Sequence, residues 1–284
     1  MMRATLLTSA SLLLATMALA GCNKTASPTA NQSTNNGQAV NEAAAARPAA
    51  ADNATNATKS DAVSITSKDG GLDFEYGWPT EAAAIPALDS WLRGHADSAR
   101  KKAAAMASSD QKSAKESDYP FRAHSFAQHW SVAANTPALL VLGAEGYTYT
   151  GGAHGMPFVS TILWDKARQQ RLGTAALLDV PMLAKILKPR FCKALNDQRE
   201  EKRGEPVSDK GDSAVPEFNQ CVDMTKQEIV PLSVGGKALD TVQIIILPYE
   251  AGPYAEGTYT IDLPLDDAAL AAVKPAWKNA FAKR

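Results

Sequence analysis

Residues 139–164 read Leu-Leu-Val-Leu-Gly-Ala-Glu-Gly-Tyr-Thr-Tyr-Thr-Gly-Gly-Ala-His-Gly-Met-Pro-Phe-Val-Ser-Thr-Ile-Leu-Trp. The class of the fold turns on this stretch. Leu139 to Leu142 is a continuous apolar run of strand length, and Phe158 to Trp164 is another. Between them, Tyr147-Thr148-Tyr149-Thr150-Gly151-Gly152-Ala153-His154-Gly155 carries three glycines, which marks a connection with unusual backbone angles.

Upstream, His124, Phe126, Gln128, Trp130 and Val132 share one side of an extended chain. Leu72, Phe74, Tyr76 and Trp78 alternate strictly behind the turn Asp69-Gly70-Gly71, the period of a half-buried strand. From Thr80 to about Ser117 the period becomes helical. Ile85, Leu88, Trp91 and Leu92 lie on one face, Pro86 sits in the first turn, and Ala103 to Ala107 are strong helix formers. Arg100, Lys101 and Lys102 read as a solvated face. Downstream, 180–201 is helical with Leu183, Ile186, Leu187, Phe191 and Leu195 inward. Val242 to Leu247 is an apolar strand, Thr258 to Leu263 alternates, and Asp266 caps a closing helix. Strands and helices mix without βαβ regularity, so the expected class is α+β, with mixed or antiparallel sheet segments and packed helices.

The first 21 residues read as a secretory signal: Arg3 in the n-region, an apolar Leu6–Leu19 too short to span a bilayer, then Leu19-Ala20-Gly21 before Cys22. This resembles the lipobox of bacterial lipoproteins, and the resemblance implies lipidation of the Cys22 thiol. Several acyl chains, at about 0.8 kcal/mol per buried CH₂, make a durable membrane anchor. Asn23 rather than Asp after the cysteine implies an outer-membrane lipoprotein facing the periplasm, or a surface-anchored one in a Gram-positive envelope. Residues 22–61 are then the lipidated cysteine and a tether rich in Asn, Ala, Thr and Ser, with Val40 as its only larger aliphatic residue. Such a composition cannot offset its ordering entropy, and about 38 flexible residues span roughly 35 Å. The Asn-x-Thr triplets at Asn53 and Asn56 read as accidental matches to the glycosylation sequon. The folded domain is assigned to 62–284.

Charge excludes one class of partner. The 284 residues hold 29 Lys plus Arg against 30 Asp plus Glu, and residues 62–284 hold 25 against 27, so no nucleic-acid-binding field is expected. Cys192 and Cys221 remain after lipidation, and in an oxidising compartment the pair reads as one disulfide, with two buried free thiols as the alternative. It closes a charged, Gly/Pro-containing excursion, Arg199 to Asp212.

Catalytic and metal motifs are sparse. His124 and His129 are five apart and diverge on either a strand or a helix, so they cannot share a metal, and His95 reads as surface. No His-Glu-x-x-His, Gly-x-Ser-x-Gly or phosphate-binding glycine loop occurs; neither a metal nor a cofactor is expected, and no catalytic residue is assigned. Two clusters stand out. In the first, Tyr147, Tyr149, Gly151, Gly152 and His154 either display aromatic side chains to a ligand or form a tight hairpin, with His154 bonding a backbone carbonyl and the tyrosines packed on the sheet. In the second, Leu247-Pro248-Tyr249-Glu250-Ala251-Gly252-Pro253-Tyr254-Ala255-Glu256-Gly257 is a defined loop with two tyrosines and two carboxylates. Glu250 and Glu256 admit an acid/base reading for glycan hydrolysis, which needs two carboxyls at fixed separation, or a reading as solvated loop acids.

Taken in order, Tyr-x-Tyr-Thr-Gly-Gly-Ala-His (to His154), a strand ending at Asp165, a helix, an apolar strand and Pro-Tyr-Glu-x-x-Pro-Tyr-Ala-x-Gly (248–257) resemble two relatives. One is the extracytoplasmic domain of the lysozyme-sensing anti-sigma factor RsiV. The other is the non-catalytic N-terminal region of the peptidoglycan deacetylase PdaC. The resemblance implies a binding-type α+β module over 62–284, in a domain family of largely unknown function. Two features depart from it. Asp165-Lys166-Ala167-Arg168-Gln169 lacks the glycine of the family's Asp-x-x-Thr-Gly, so a different turn is expected. Neither the sigma-binding and membrane segments of RsiV nor the deacetylase domain and metal motif of PdaC occur in these residues. The expected function is a lipid-anchored envelope module binding a lysozyme-like protein or peptidoglycan through Tyr147, Tyr149, Gly151, Gly152, His154, Tyr249, Glu250 and Tyr254. An envelope glycan hydrolase and a structural or assembly lipoprotein are the alternatives.

Overall fold

The computed structural model describes residues 62–207 and 215–284. The signal segment, Cys22 and the tether lie outside them. The chain runs β1 (Val63–Lys68), β2 (Leu72–Trp78), α1 (Thr80–Ala83), α2 (Pro86–Glu116), β3 (His124–Asn135), β4 (Leu139–Tyr149), β5 (Met156–Asp165), β6 (Gln170–Leu172), α3 (Thr174–Leu177) and α4 (Val180–Arg203). After the 3-10 turns Pro216–Asn219 and Met224–Lys226 come β7 (Glu228–Leu232), β8 (Thr241–Ile246), β9 (Tyr259–Pro264) and α5 (Asp267–Leu270). Strands β1 to β6 form a six-stranded sheet in sequence order, and β7 to β9 a separate antiparallel sheet. The class is α+β, as the sequence implied.

Leu139 to Leu142 is continuously apolar because it is buried on both faces, each residue at most 1% exposed. Leu140 and Leu142 join Phe74, Tyr76, Trp130, Ile162 and Trp164 in a core under α2. Leu139 and Val141 point the other way, into a core built with α4 and the small sheet. The two sheets and two long helices therefore meet through one strand.

Several expectations need correction. The helical stretch from Thr80 is two helices: Ile85 is extended (φ −104°, ψ 102°) because proline disfavours a helical residue before it, and Pro86 opens α2. The sheet is mixed, as expected, because β2 and β3 pair in parallel with α1 and α2 as the crossover, a single unit without βαβ regularity. The turn after Asp165 lacks glycine, yet Gln169 itself adopts a left-handed φ of 52° and its amide bonds Lys166 O at 2.7 Å. The excursion from Arg199 does not begin there: Arg199 to Arg203 complete α4, which stops at Gly204 (φ 74°). Residues 208–214 lie outside the described ones. Asp266 does cap α5, accepting from Ala269 N at 2.8 Å, but that helix is a single turn.

Helix α4 lies along β9 and occupies its open edge. Arg190 donates to Pro264 O (3.1 Å), Gln198 to Thr260 O (2.6 Å) and Lys202 to Thr258 O (2.7 Å), satisfying carbonyls that an edge strand leaves without partners. The expected disulfide is present between Cys192 on α4 and Cys221. Its 29-residue separation corresponds to roughly 3–4 kcal/mol of chain-entropy stabilisation.

His95 is half-buried rather than free on the surface. Trp130 Nε1 donates to the Tyr76 hydroxyl at 2.8 Å, and that hydroxyl donates to His95 Nδ1 at 2.8 Å. His95 also stacks on Trp91, and the Arg171 guanidinium lies over the Trp91 ring at 3.9 Å. Burial, reinforced by Arg171, holds the His95 pKa below its ordinary value. The neutral ring is the form the fold needs, so its contribution is complete above the ordinary value of about 6.5 and is lost as pH falls through the lowered folded value. The denaturation midpoint should drop from about pH 7 to about pH 5, and drop less in His95→Gln; equal drops in parent and variant would refute the role. Tyr76→Phe, which strands the indole N–H, should cost about 1–3 kcal/mol in urea unfolding at neutral pH.

Candidate functional site

The connection after β4 and the loop after β8 meet in space. Tyr149 donates to Gly152 O (3.1 Å), closing the turn whose φ of 91° falls on Gly151. Arg122 lies 3.4 Å from the same carbonyl. Gly155 N donates to the Tyr147 hydroxyl at 3.0 Å, and a Cβ at Gly155 would collide with the Tyr147 ring and the Thr148 carbonyl. Only glycine lets the chain turn back this tightly against Tyr147. The outcome leaves His154 projecting from the turn.

His154 Nδ1 lies 3.0 Å from Gly155 O, an acceptor, so Nδ1 carries the proton. Nε2 then accepts from the Tyr249 hydroxyl at 3.1 Å. The His154 ring stacks on Tyr254 with centroids 3.8 Å apart, and Tyr249 and Tyr254 are 5.9 Å apart. His154 bonds a backbone carbonyl, as the hairpin reading expects, while Tyr147 of the first cluster and Tyr249 of the second remain 40% and 50% exposed. The Tyr254 phenol is held above its ordinary pKa by burial and by the neighbouring phenols of Tyr147 and Tyr249.

Tyr249 has a φ of 73°. That conformation costs an L-residue roughly 1–2 kcal/mol, and a half-exposed ring recovers little of it from core packing. The strain is maintained from beneath. Glu256 accepts from Arg203 Nε (2.8 Å) and Nη2 (3.1 Å) and from the Tyr259 hydroxyl. Arg199, fully buried, donates to Ala251 O (3.1 Å) and to Gln220 O (2.9 Å), and Arg203 also reaches Asn219 Oδ1 (2.7 Å). A Cβ at Gly252 would strike the Glu256 carboxylate, so glycine is required there as well. The clamp joins α4, the segment behind Cys221 and the tyrosine loop.

Burial pushes the Glu256 carboxyl up, but the Arg203 and Tyr259 bonds and the charges of Arg203 and Arg199 outweigh it, and its pKa lies below the ordinary value. Tyr259 is pushed up to about 12 by burial and by Glu256. Held by Arg203 and Tyr259, Glu256 is favoured as the anion and is poorly suited to donate a proton. Of the residues singled out from sequence, Tyr147, His154, Tyr249 and Tyr254 form one cluster. Tyr149, Gly151 and Gly152 shape the turn, and Glu250 stands on its rim. Sequence reasoning missed Arg199, Arg203, Gly155 and Gly252. A signal existed for the arginines: Leu183, Leu187, Phe191 and Leu195 recur every fourth residue, and Arg199 and Arg203 continue that buried stripe.

His124 and His129 do point apart. His124 is buried against Asp110 on α2 (3.1 Å), whereas His129 is exposed beside Glu75 (3.4 Å). Among the described residues no cluster of His, Cys, Asp and Glu could hold a metal ion.

Residues 23–157, somewhat under half of the chain, match the family model described as Deacetylase PdaC. The chain is therefore similar to PdaC over a stretch that contains the Gly151–His154 turn and ends before the second loop. The match does not name RsiV. Solved structures of DUF3298 family proteins share a likeness. One from Pseudomonas aeruginosa is 17% identical, with 79% of this chain and 96% of that chain covered and a TM-score of 0.41. One from Bacteroides fragilis is 16% identical, with 72% and 89% covered and a TM-score of 0.39. No curated protein matches the sequence.

Removing the one carboxylate that the clamp holds among the described residues should be costly. Glu256→Gln leaves the buried Arg199 and Arg203 charges without a counterion and should destabilise the fold by about 3–5 kcal/mol in denaturant unfolding. The Glu256 contribution is complete above the ordinary carboxylate range and is lost as pH falls through its lowered folded value. A Glu256→Gln variant as stable as the parent at pH 7 would show that the clamp does not hold the loop.

Proposed function

We propose that the chain is a lipid-anchored cell-envelope module that binds a lysozyme-like protein or peptidoglycan through Tyr147, His154, Tyr249 and Tyr254. One observation carries this reading: a half-exposed tyrosine, Tyr249, is held at φ 73° and bonded to a histidine from a different sheet. Strain that supports no core packing is a mark of a functional surface. Tyrosine supplies large contact area at low entropic cost, which suits recognition of a protein or of sugar faces. The tethered address adds context: Cys22 would carry the anchor, residues 23–61 the reach, and Asn23 favours the outer membrane facing the periplasm. The similarity to PdaC is consistent with an envelope role and names no partner for this chain.

Calorimetric titration of the full chain in detergent, with a c-type lysozyme and separately with soluble peptidoglycan fragments, tests the reading. A saturable isotherm with one of them is expected, weakened about 10- to 100-fold by Tyr249→Ala or Tyr254→Ala, as for aromatic anchors at interfaces. Flat traces with both, or variants that bind like the parent, would reject it. Cys22→Ser should move the protein from the membrane fraction to the soluble fraction; retention in the membrane would refute the anchor.

A further inference from the structure

Hydrogen-bond parity in the six-stranded sheet shows one edge that the fold does not protect. Lys166 N donates to Ala138 O at 3.1 Å, which continues the β4–β5 register by one pair. In an antiparallel pair, residues that bond across the ladder alternate with residues whose N–H and C=O point away. Even-numbered residues of β5 therefore bond β4, and odd-numbered residues face outward. Leu163 and Asp165 meet β6, which ends at Leu172. Pro157, Val159 and Thr161 lie before that point, and among the described residues no hydrogen bond reaches their outward backbone groups.

The other edges are guarded. Side chains of α4 occupy the β9 edge. On β7, Thr174 donates to Ile229 O at 3.1 Å, and Pro231 supplies no donor. Strand β1 is short and ends at the exposed Lys68. By contrast, β5 carries no charged residue from Met156 to Trp164, and its half-buried Phe158 lies against Phe126 with centroids 5.5 Å apart. An uncharged open edge of this kind is a template for a further strand.

The open groups complement themselves. A second copy laid antiparallel, with Val159 opposite Val159, brings each Val159 N to the other Val159 O. It also brings each Thr161 N to the other Pro157 O, so every outward donor meets an acceptor. Pro157 has no N–H, and in this register that gap falls only at Thr161 O, the end of the ladder. A one-residue shift toward β6 would set Pro157 against Leu163, whose outward groups β6 already holds. The opposite shift carries Thr161 past the start of the strand at Met156. Side chains obey the same twofold axis: Phe158 of each copy faces Ser160 of the other, large against small, and two β-branched Val159 side chains meet at the centre. Room exists there as well. The small sheet and α4 cover the sheet around Leu139, Val141 and Leu163, whereas Glu145 and His129, in the same cross-strand row as Val159, are exposed.

We infer that the chain forms a twofold dimer through the β5 edge, joining two six-stranded sheets into one continuous sheet. The ladder is short, so association in free solution is weak. Copies confined to one membrane by the proposed Cys22 anchor would meet at a far higher effective concentration. An axis normal to the sheet puts equivalent faces of both copies on the same side, so the two aromatic clusters open in one direction. The inference does not depend on what those clusters bind.

The test uses single-cysteine variants of the full chain in excess detergent, with linkage scored above that of the parent. Val159→Cys sits on the axis, where facing Cα atoms about 5.5 Å apart suit a disulfide, and Thr66→Cys reports on the β1 edge. Mild oxidation should link Val159→Cys into dimers at least about 10-fold faster than Thr66→Cys. Sedimentation of the parent should show a reversible monomer–dimer equilibrium, weakened at least about 10-fold by Val159→Pro. That proline removes an N–H without a partner in the monomer, so the melting temperature should hold. If it falls, Val159→Lys, which sets two like charges on the axis, decides instead. Equal linkage of both cysteine variants, faster linkage through Thr66→Cys, or a parent still monomeric at about 1 mM would overturn the inference. A parent dimer that the deciding Val159 variant leaves intact would place the interface elsewhere and overturn it too.

Discussion

Two arginines at the end of α4 share one carboxylate, and the arrangement of three separate pieces of chain depends on that sharing. Arg199 is fully buried, Arg203 nearly so, and Glu256 is their common counterion. Burying such charges is expensive and is tolerated only when hydrogen bonds satisfy them. Here the bonds come from Ala251 O, Gln220 O, Phe218 O and Asn219, so the cost is met only when the tyrosine loop and the segment behind Cys221 are both in place. The disulfide from Cys192 fixes the same segment to the same helix. Alternative positions of the loop would strand a guanidinium.

That rigidity explains how Tyr249 keeps a backbone angle its side chain disfavours. The clamp holds Ala251 and Glu256 from below, Gly252 gives the carboxylate room, and Tyr249 is left at the apex with its ring outward. On the facing side, Gly155 lets the β4–β5 turn close on Tyr147 and present His154. A single histidine then joins the two sheets, bonded to one tyrosine and stacked on another. Under the proposed binding role, rings preorganised in this way would give up little conformational entropy on meeting a partner. The arrangement is thus a consequence of two glycines, one of them packed directly against the Tyr147 ring, and one ion-pair cluster beneath the tyrosine loop.

The fold class, most elements and the disulfide were legible in the sequence because they follow from local period and from cysteine count. Leu72 to Trp78 and Thr258 to Leu263 alternate since one face of each strand is solvated or capped, and 183–195 repeats every fourth residue because α4 buries one stripe. The four site aromatics were legible too, being unusual residues in glycine- and proline-framed loops. Other features depend on who the neighbour is. His95 sits on the polar side of α2 by period, and only the long-range partner Tyr76 draws it inward. Arg199 and Arg203 continue an apolar stripe, but charge made them read as the start of a loop; Glu256, 53 positions beyond Arg203, makes their burial possible. The parallel β2–β3 pairing was likewise hidden, since strand direction is set by the crossover and leaves no mark on either strand's alternation.

The central claim is that two loops from different sheets act as one binding surface. Ring resonances of His154, Tyr249 and Tyr254 in selectively labelled full chain, followed while a c-type lysozyme or soluble peptidoglycan fragments are added, report on it directly. If the loops form one surface, all three rings shift together along a single saturation curve. Saturable binding that leaves either His154 or the two tyrosines unmoved would contradict it.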